Sequence, residues 1–294
     1  MKKKIKSRVW LWILVAVLSC FILIWLVGKK DFLLKKRETD LEDYIAILTA
    51  MQIDWNAPKE CIKAQTVIAR GNFYLKWRMG EEKEKVRNAT DYLKKERQNL
   101  FFSELFQVFL DSAKETRGQV LALENEVKQI PFHAVGVEQT RDGTEVLGEK
   151  FFYVIPVKTI QDKNSDSYVN GYYFELKELR RLIQKEYPGF KIESAKQIEV
   201  KKTDSQGYVL EIQMGNQEFQ GEQVRKLLNL SSACFFVQSD DEMIQFLCRG
   251  IGHGLGLSQY TAKMLAKENK NYEEILKYFF PDLELITIEM KKNE

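Results

Sequence analysis

Residues 248–259 read Cys-Arg-Gly-Ile-Gly-His-Gly-Leu-Gly-Leu-Ser-Gln. Every second residue from 250 to 256 is glycine, which leaves the backbone without Cβ atoms and permits dihedral angles that other residues avoid. The apolar run 243–247 before this stretch predicts a strand, and 260–267 after it predicts a helix. Such a turn suits a polar ligand held against the main chain, with Gly252, His253, Gly254, Ser258 and Gln259 as its contacts. A tight turn around a core histidine is the alternative.

The same stretch resembles a known family. Residues 249–260 are similar to the C-terminal signature of the stage II sporulation protein D / LytB family, and residues 272–279 continue the similarity. The family commonly has Trp at the position of Ile251. Its active members are lytic transglycosylases, which cut the glycan strands of peptidoglycan.

A second motif of that family lies near the start of the chain. Residues 43–70 resemble it without a gap, and Lys63-Ala64-Gln65 and Ala69-Arg70 fall on its most recognisable part. The resemblance implies that Lys63, Gln65 and Arg70 line the groove that binds the glycan. The family's catalytic glutamate opens a Glu-Met-Pro triplet before the lysine. This chain has Gln52-Ile53-Asp54 there, so an amide replaces the acid.

Glutamine at position 52 changes the expected chemistry. A lytic transglycosylase needs a carboxyl group that protonates the glycosidic oxygen and then takes a proton from the sugar's C6 hydroxyl. The amide of Gln52 has nearly the same shape and can hydrogen-bond a sugar, but it has no usable acid form. We therefore expect a weak or inactive enzyme that binds glycan. An active enzyme is the alternative if Asp54, Glu42 or Asp43 supplies the proton.

The overall composition is that of a folded protein, with 45% hydrophobic and 30% charged residues in a chain of 294. The net charge of +3 conceals an asymmetry, because residues 1–30 hold seven Lys or Arg and no acid. The rest of the chain carries 38 basic and 42 acidic residues. This balance argues against a nucleic-acid surface, which needs a concentrated basic face.

Residues 9–27 carry no charge and form an apolar run of nineteen residues. A helix of this length nearly spans a hydrocarbon core of about 30 Å. The basic tail 1–8 is expected to stay in the cytoplasm, and a long C-terminal domain translocates regardless of its charge. A cleaved signal peptide is the competing interpretation, but no small-x-small cleavage site follows the run. We expect a single-pass anchor in the cell membrane, a linker at 28–40 and an extracytoplasmic domain at 41–290.

The remaining elements predict an α+β domain. Leu41, Tyr44, Ile45 and Leu48 repeat at helical spacing, Gln52 continues that stripe, and Pro58 suits the first turn of a second helix. Strands are expected at 151–157, at 168–174 and within 192–219, and helices at 176–187 and 222–228. Some family members hold zinc on cysteines in the middle of the chain. Because residues 62–233 contain no Cys, we expect no metal and no cofactor.

Two cysteines flank a predicted hairpin near the glycine-rich stretch. A turn at 240–242 would set Cys234 opposite Cys248, as a cross-strand pair. A disulfide there needs a pair of the closer, non-hydrogen-bonded type. Two reduced, small apolar side chains are the alternative.

The resemblance, together with the apolar run 9–27, implies a membrane-tethered, wall-facing protein of sporulation or cell-wall remodelling. The expected partners are glycan strands of peptidoglycan that lack stem peptides, and other membrane-bound wall hydrolases. A non-enzymatic enhancer of a wall amidase also fits LytB-type relatives.

Overall fold

The computed structural model describes residues 41–79, 104–240 and 243–289, which belong to one compact unit that begins at Leu41. The predicted tail 1–8, membrane helix 9–27 and linker 28–40 lie outside the described residues. Among the helices of the described ranges, none is both long and apolar enough to cross a membrane. The domain mixes helices with several small sheets, as the α+β prediction required.

The first half of the described chain is mainly helical. Its helices are α1 (Leu41–Ala50), α2 (Lys59–Arg78), α3 (Glu104–Glu115) and α4 (Gly143–Leu147), and its strands are β1 (Gln119–Leu123), β2 (Glu126–Val127) and β3 (Phe132–His133). Helix α2 starts directly after Pro58, whose fixed φ suits the entry to a helix. Two short 3₁₀ helices follow, at Glu149–Phe151 and Ile160–Asn164.

The second half alternates strands with short helices. It contains β4 (Val169–Glu175), α5 (Leu176–Gln184), a 3₁₀ turn (Ala195–Gln197), β5 (Ile198–Thr203), β6 (Val209–Met214), β7 (Gln217–Gln220), α6 (Gly221–Leu227), β8 (Phe235–Ser239), β9 (Met243–Arg249), β10 (Leu257–Ser258), α7 (Gln259–Lys267), α8 (Tyr272–Phe279) and β11 (Glu284–Thr287). The sheets run in the orders β11-β1-β2, β4-β9-β8 and β5-β6-β7, all antiparallel, and β10 pairs with β3 in parallel.

Two hydrophobic cores support these layers. The first packs α1, α2 and α3 against β1, α7 and α8, and the second packs α5 and α6 against the sheets β4-β9-β8 and β5-β6-β7. Helix α2 contributes several side chains to the first core, and the small, fully buried Ala64 lets neighbouring elements approach closely.

Three sequence predictions about local structure differ from the fold. Helix α1 ends at Ala50, and Gln52 lies in the following turn, where its backbone N–H donates to Thr49 O at 2.9 Å. The run 151–157 is not a strand: local bonds such as Val154 N to Phe151 O, 2.9 Å, close turns instead. Apolar side chains in this run enter the first core from irregular backbone, which a periodicity argument cannot distinguish from a strand.

The third correction concerns the two cysteines. Cys248 pairs with Phe235, not with Cys234, because the hairpin closes one residue tighter than predicted, with Asp240 N bonded to Met243 O at 3.1 Å. A slip of one residue turns a side chain to the other face of a sheet. Cys234 therefore packs in a cluster with Tyr208, Cys248 packs in the second core, and both are free and buried.

Candidate functional site

The turn between α1 and α2 carries Gln52, the residue that the sequence resemblance aligns with an acid. Asp54 closes part of this turn, since its Oδ1 accepts from Asn56 N at 3.0 Å. Trp55 fixes the turn to the helix before it, because its Nε1 donates to Ala50 O at 2.8 Å. The Trp55 ring packs 5.5 Å from the ring of Phe109 in the first core. The turn is thus anchored on both sides while its tip stays accessible.

Three glutamines meet at this turn and form what we call the glutamine cluster: Gln52, Gln65 and Gln259. Gln65 Nε2 donates to Gln52 Oε1 at 3.0 Å, and Gln259 Nε2 donates to Gln65 Oε1 at 3.2 Å. Gln259 Nε2 also lies 2.6 Å from the backbone oxygen of Gln52. The amides therefore form a chain of hydrogen bonds in which a donor faces the side chain at position 52.

Gln259 reaches the cluster because α7 begins at that residue. Ser258 caps the helix, with its Oγ accepting from Thr261 N at 3.2 Å. A buried carboxylate, Asp162, holds this helix start, since it accepts from Ser258 Oγ and from Thr261 Oγ1, each at 2.6 Å. Burial raises the pKa of Asp162, although these hydrogen bonds act to lower it. No local pattern predicts this role for Asp162, because it lies 96 residues before Ser258 in the chain.

The surroundings of the cluster include one acid–base pair and one thiol. Asp54 Oδ2 lies 3.7 Å from Lys263 Nζ, and the Asp54 side chain is 57% exposed. The thiol of Cys61 lies 3.9 Å from Gln259 O, and burial raises its pKa to about 12. A thiol with such a pKa stays protonated near neutral pH, so Cys61 is no candidate nucleophile.

The cluster offers amide donors and acceptors to a ligand but no titrating group of its own. Amides hydrogen-bond hydroxyl and acetamido groups in either direction, which suits a neutral sugar. They cannot exchange a proton near neutral pH, which general acid–base catalysis requires. Asp54 lies in the same turn as Gln52, and its carboxylate reaches the surface. Glu42 and Asp43, the other acids considered from the sequence, are 4% and 2% exposed and do not reach solvent.

Lys63 does not join the glutamine cluster. Its ammonium group pairs with Glu60 at 2.7 Å and with Glu115 at 2.9 Å, and it lies 5.5 Å from the ring centroid of Tyr272. Burial acts to lower the pKa of Lys63, but the hydrogen bonds and charges of the two glutamates raise it overall. These contacts connect α2 to α3 and α8. The described contacts of Lys63 are those of a packing residue.

Arg70 is fully buried and its donors are used inside the first core. The guanidinium pairs with Glu42, with Nη2 to Oε2 at 2.6 Å, and donates to the backbone oxygens of Ala113 and Gln119 at 3.0 Å each. Gly118 N also donates to the Glu42 carboxylate at 3.2 Å. The expectation that Arg70 lines the groove is therefore replaced by a structural role, because no part of its side chain is open to a ligand.

The glycine-rich stretch packs against its own chain. Gly250, Gly252, Gly254 and Gly256 all have positive φ, between +68° and +109°. A Cβ on Gly254 would lie 2.3 Å from the Tyr208 hydroxyl oxygen, and one on Gly256 would lie 2.0 Å from the oxygen of Pro131. The glycines are closely approached, as predicted, but by other residues of the same chain, Tyr208 and Pro131. This matches the tight-turn alternative for Gly252 and Gly254 rather than an open ligand-binding loop.

His253 lies in this turn beside the chain's other histidine. Its Nδ1 accepts from Leu255 N at 3.1 Å, and burial lowers its pKa. The His133 ring lies 6.1 Å from that of His253, and its Nδ1 bonds Leu255 O at 3.0 Å. Burial, followed by the neighbouring His253, lowers the pKa of His133 to about 3. Two neutral imidazoles thus support the turn, and no described hydrogen bond connects His253 to the glutamine cluster.

The structure therefore brings together two of the predicted site residues with Gln52 and separates the others. Gln65 and Gln259 join Gln52 directly. Ser258 is fully buried and serves as the cap of α7. The described residues contain no group of three or more His, Cys, Asp or Glu side chains arranged to hold a metal ion.

Comparison with known proteins shows which family and which proteins this chain is similar to. The model of the family described as Stage II sporulation protein matches residues 30–141. The chain is 24% identical over 254 residues to "Stage II sporulation protein D" of Bacillus subtilis (strain 168), covering 82% of this chain and 72% of that protein. It is 23% identical over 259 residues to the protein of the same name from Bacillus amyloliquefaciens, covering 83% and 74%. The family match includes Gln52 and ends before the glycine-rich stretch.

Proposed function

Because this chain is a relative of stage II sporulation protein D, as its two motifs predicted, we propose that its C-terminal domain binds the glycan strands of peptidoglycan. The relationship implies a role in sporulation that involves the cell wall. The finer proposal is a binder with weak or no lytic transglycosylase activity. Its ligand is glycan that has lost its stem peptides, and it acts beside other membrane-bound wall hydrolases.

The glutamine cluster is the observation that carries this proposal. Gln65 is fully buried and its amide donor faces Gln52 Oε1 at 3.0 Å, so the side chain at position 52 is held in one orientation. The proton transfer that breaks a glycosidic bond is worth about 10²–10⁴-fold, and an amide cannot supply it. A fixed amide can still hydrogen-bond a sugar. The arrangement suits recognition without cleavage.

The proposal includes the place of the protein in the cell. The uncharged run 9–27 would anchor the chain in the cell membrane, with the basic tail 1–8 in the cytoplasm. The domain from Leu41 onward would then face the wall. A glycan-binding domain tethered in this way meets its ligand without diffusing from the cell.

An active lytic transglycosylase is the second candidate, and Asp54 is the observation that favours it. Helix α1 ends at Ala50, so Gln52 and Asp54 share an irregular turn rather than opposite sides of a helix. The exposed Asp54 carboxylate lies 3.7 Å from Lys263 Nζ. Its exposure leaves this carboxylate open to a bound glycan.

One experiment separates these candidates. The full-length protein in detergent is incubated with amidase-treated peptidoglycan, and the pellet and the released muropeptides are both analysed. Co-sedimentation without anhydro-muropeptides supports the binder. Anhydro products that disappear in Asp54→Asn support the enzyme. If the protein neither sediments nor releases products, both glycan proposals are refuted, and stimulation of a purified wall amidase becomes the relevant assay.

A further inference from the structure

The sheet β4-β9-β8 has one face on the second core and one face in solvent. On the solvent face, three large side chains are more than half exposed: Val169 at 53%, Tyr173 at 64% and Phe236 at 54%. The strand register aligns Tyr173 with Gln245 and Gln238 in one row, and Gly171 with Leu247 and Phe236 in the next row. We call these two rows the aromatic face. Exposed rings concentrated on a regular sheet usually mark a binding surface.

The ring of Tyr173 is held flat along its strand. Gly171 has no side chain, and a Cβ placed there would lie 3.4 Å from Tyr173 Cε2 and 3.6 Å from the Tyr173 hydroxyl oxygen. The edge of the ring therefore lies over Gly171, at the distance of an ordinary van der Waals contact with a Cβ there. Gln245 Nε2 donates to the same hydroxyl at 2.8 Å. The hydroxyl end of the Tyr173 ring is thus held by Gln245 and Gly171, while the side chain remains 64% exposed.

The second ring is braced by a cation. The guanidinium carbon of Arg249 lies 5.1 Å from the ring centroid of Phe236, and Arg249 Nη2 lies 3.3 Å from Cys234 Sγ. Aromatic rings that are already ordered lose little conformational freedom when a ligand binds. Each ring of the aromatic face thus has a polar side chain of β9 beside it.

The distance between the Tyr173 and Phe236 rings indicates which class of ligand fits the aromatic face. Tyr173 lies on β4 and Phe236 on β8, with β9 between them. Because the Tyr173 ring leans over Gly171, which is in the row of Phe236, the two rings are about two strand spacings, or about 10 Å, apart. That separation is close to one disaccharide repeat of an extended β-1,4-linked glycan, in which alternate sugars present the same face. Sugar rings combine an apolar C–H face with a polar rim. The aromatic face has the matching pattern of apolar platforms flanked by amide and guanidinium donors.

We propose that the aromatic face is a second glycan-binding subsite, in which Tyr173 and Phe236 stack on alternate sugars of one strand. This inference rests on the proposed function and extends it to Tyr173 and Phe236, which lie outside both family motifs. Gln238 and Gln245 would bond the hydroxyl and acetamido groups at the rim. Arg249 would attract the carboxylate that a muramic acid residue exposes once its stem peptide is removed.

The test measures binding of the full-length protein in detergent to amidase-treated sacculi by sedimentation. The variants are Tyr173→Ala, Phe236→Ala and the double variant, and the control is Phe152→Ala, which removes a ring that is 58% exposed elsewhere on the surface. Substitutions at exposed sites perturb folding little, and the thermal midpoint of each variant verifies this. We expect each single variant to bind about tenfold more weakly, the double variant more weakly still, and the control like the wild type.

Three results would overturn the inference, and they differ in whether they also refute the proposed function. If the wild type sediments and the double variant binds within twofold of it, the subsite is refuted while the proposed function stands. A wild type that does not sediment at all refutes both. Unchanged glycan binding, together with loss of a dimer in analytical ultracentrifugation of the double variant, would assign the aromatic face to a second copy of the chain.

Discussion

Gln65 donates a hydrogen bond from Nε2 to Oε1 of Gln52 at 3.0 Å, and accepts one from Gln259 at its own Oε1. The donor end of this chain of amides points at the side chain in position 52. A carboxylate there would accept the same hydrogen bond, and a charged acceptor would make it stronger. The surroundings of position 52 would therefore hold a carboxylate in the same place as the amide of Gln52.

Gln52→Glu should therefore create glycan-cleaving activity without disturbing the fold. The new side chain has almost the same shape, keeps the bond from Gln65 and provides a group that exchanges protons. We expect anhydro-muropeptide release from amidase-treated peptidoglycan to rise by about 10²–10⁴-fold over the wild type. Gln52→Asn is the matched control, since it changes the length and adds no acid. Release that stays at the wild-type level in Gln52→Glu would refute the assignment of this turn as the cleavage site.

The α+β fold class and most helices and strands can be predicted from hydrophobic spacing and from the positions of proline and glycine. Pro58 marked the start of α2, the glycines at 254 and 256 marked a close approach, and Gln259 was expected at the predicted site. These features are local, because they depend on dihedral freedom or on spacing within one element. The residues that contact each of these features are distant in sequence, so no local pattern could identify them.

Arg70 and the two cysteines show why long-range contacts and strand register could not be predicted from the sequence. Arg70 looked like a ligand contact, but its buried partner Glu42 lies 28 residues away in sequence. The Cys234–Cys248 register depended on the length of one turn, and an error of one residue reversed the face of a side chain. Motif resemblance identifies positions that matter to a family without separating residues that fold the site from residues that touch the ligand.

Arg70→Met should unfold the domain rather than weaken binding alone. The substitution leaves the buried Glu42 carboxylate without the guanidinium, and removing one partner of a buried ion pair typically costs about 3–5 kcal/mol. Lys63→Met, on the same helix, removes contacts that are partly exposed and should cost about 1 kcal/mol or less. Urea denaturation followed by circular dichroism measures both. Equal stability of the two variants would contradict the structural role of Arg70.

Gly256→Ala should be strongly destabilising for two additive reasons. The positive φ of +68° strains any residue with a Cβ, at about 1–3 kcal/mol, and the new Cβ would meet Pro131 O at 2.0 Å. Gly148→Ala isolates the first effect, because its φ is +91° and nothing lies within 4 Å. Gly189→Ala lacks both and should be nearly neutral. The predicted order of thermal midpoints is therefore 189 above 148 above 256, and any other order argues against this close approach.

His133 should make the domain less stable as the pH falls. Burial lowers its pKa to about 3 in the folded state, whereas an exposed histidine in the unfolded chain has a pKa of about 6.5. Between these values the unfolded chain binds the extra proton, so the free energy of unfolding falls by about 1.4 kcal/mol for each pH unit of acidification. Above pH 6.5 this contribution is fully present. His253, whose pKa is also lowered, acts in the same direction.

His133→Asn removes the titrating group while keeping a donor near the position of Nδ1, which bonds Leu255 O at 3.0 Å. The variant is expected to lose stability at every pH, since the ring packing is gone. Its free energy of unfolding should nevertheless depend less on pH than that of the wild type between about pH 6.5 and 4.5. Urea titrations at intervals of half a pH unit give both slopes. Parallel slopes would mean that His133 is protonated in the folded domain, because only a group whose proton binding differs between the two states contributes to the slope.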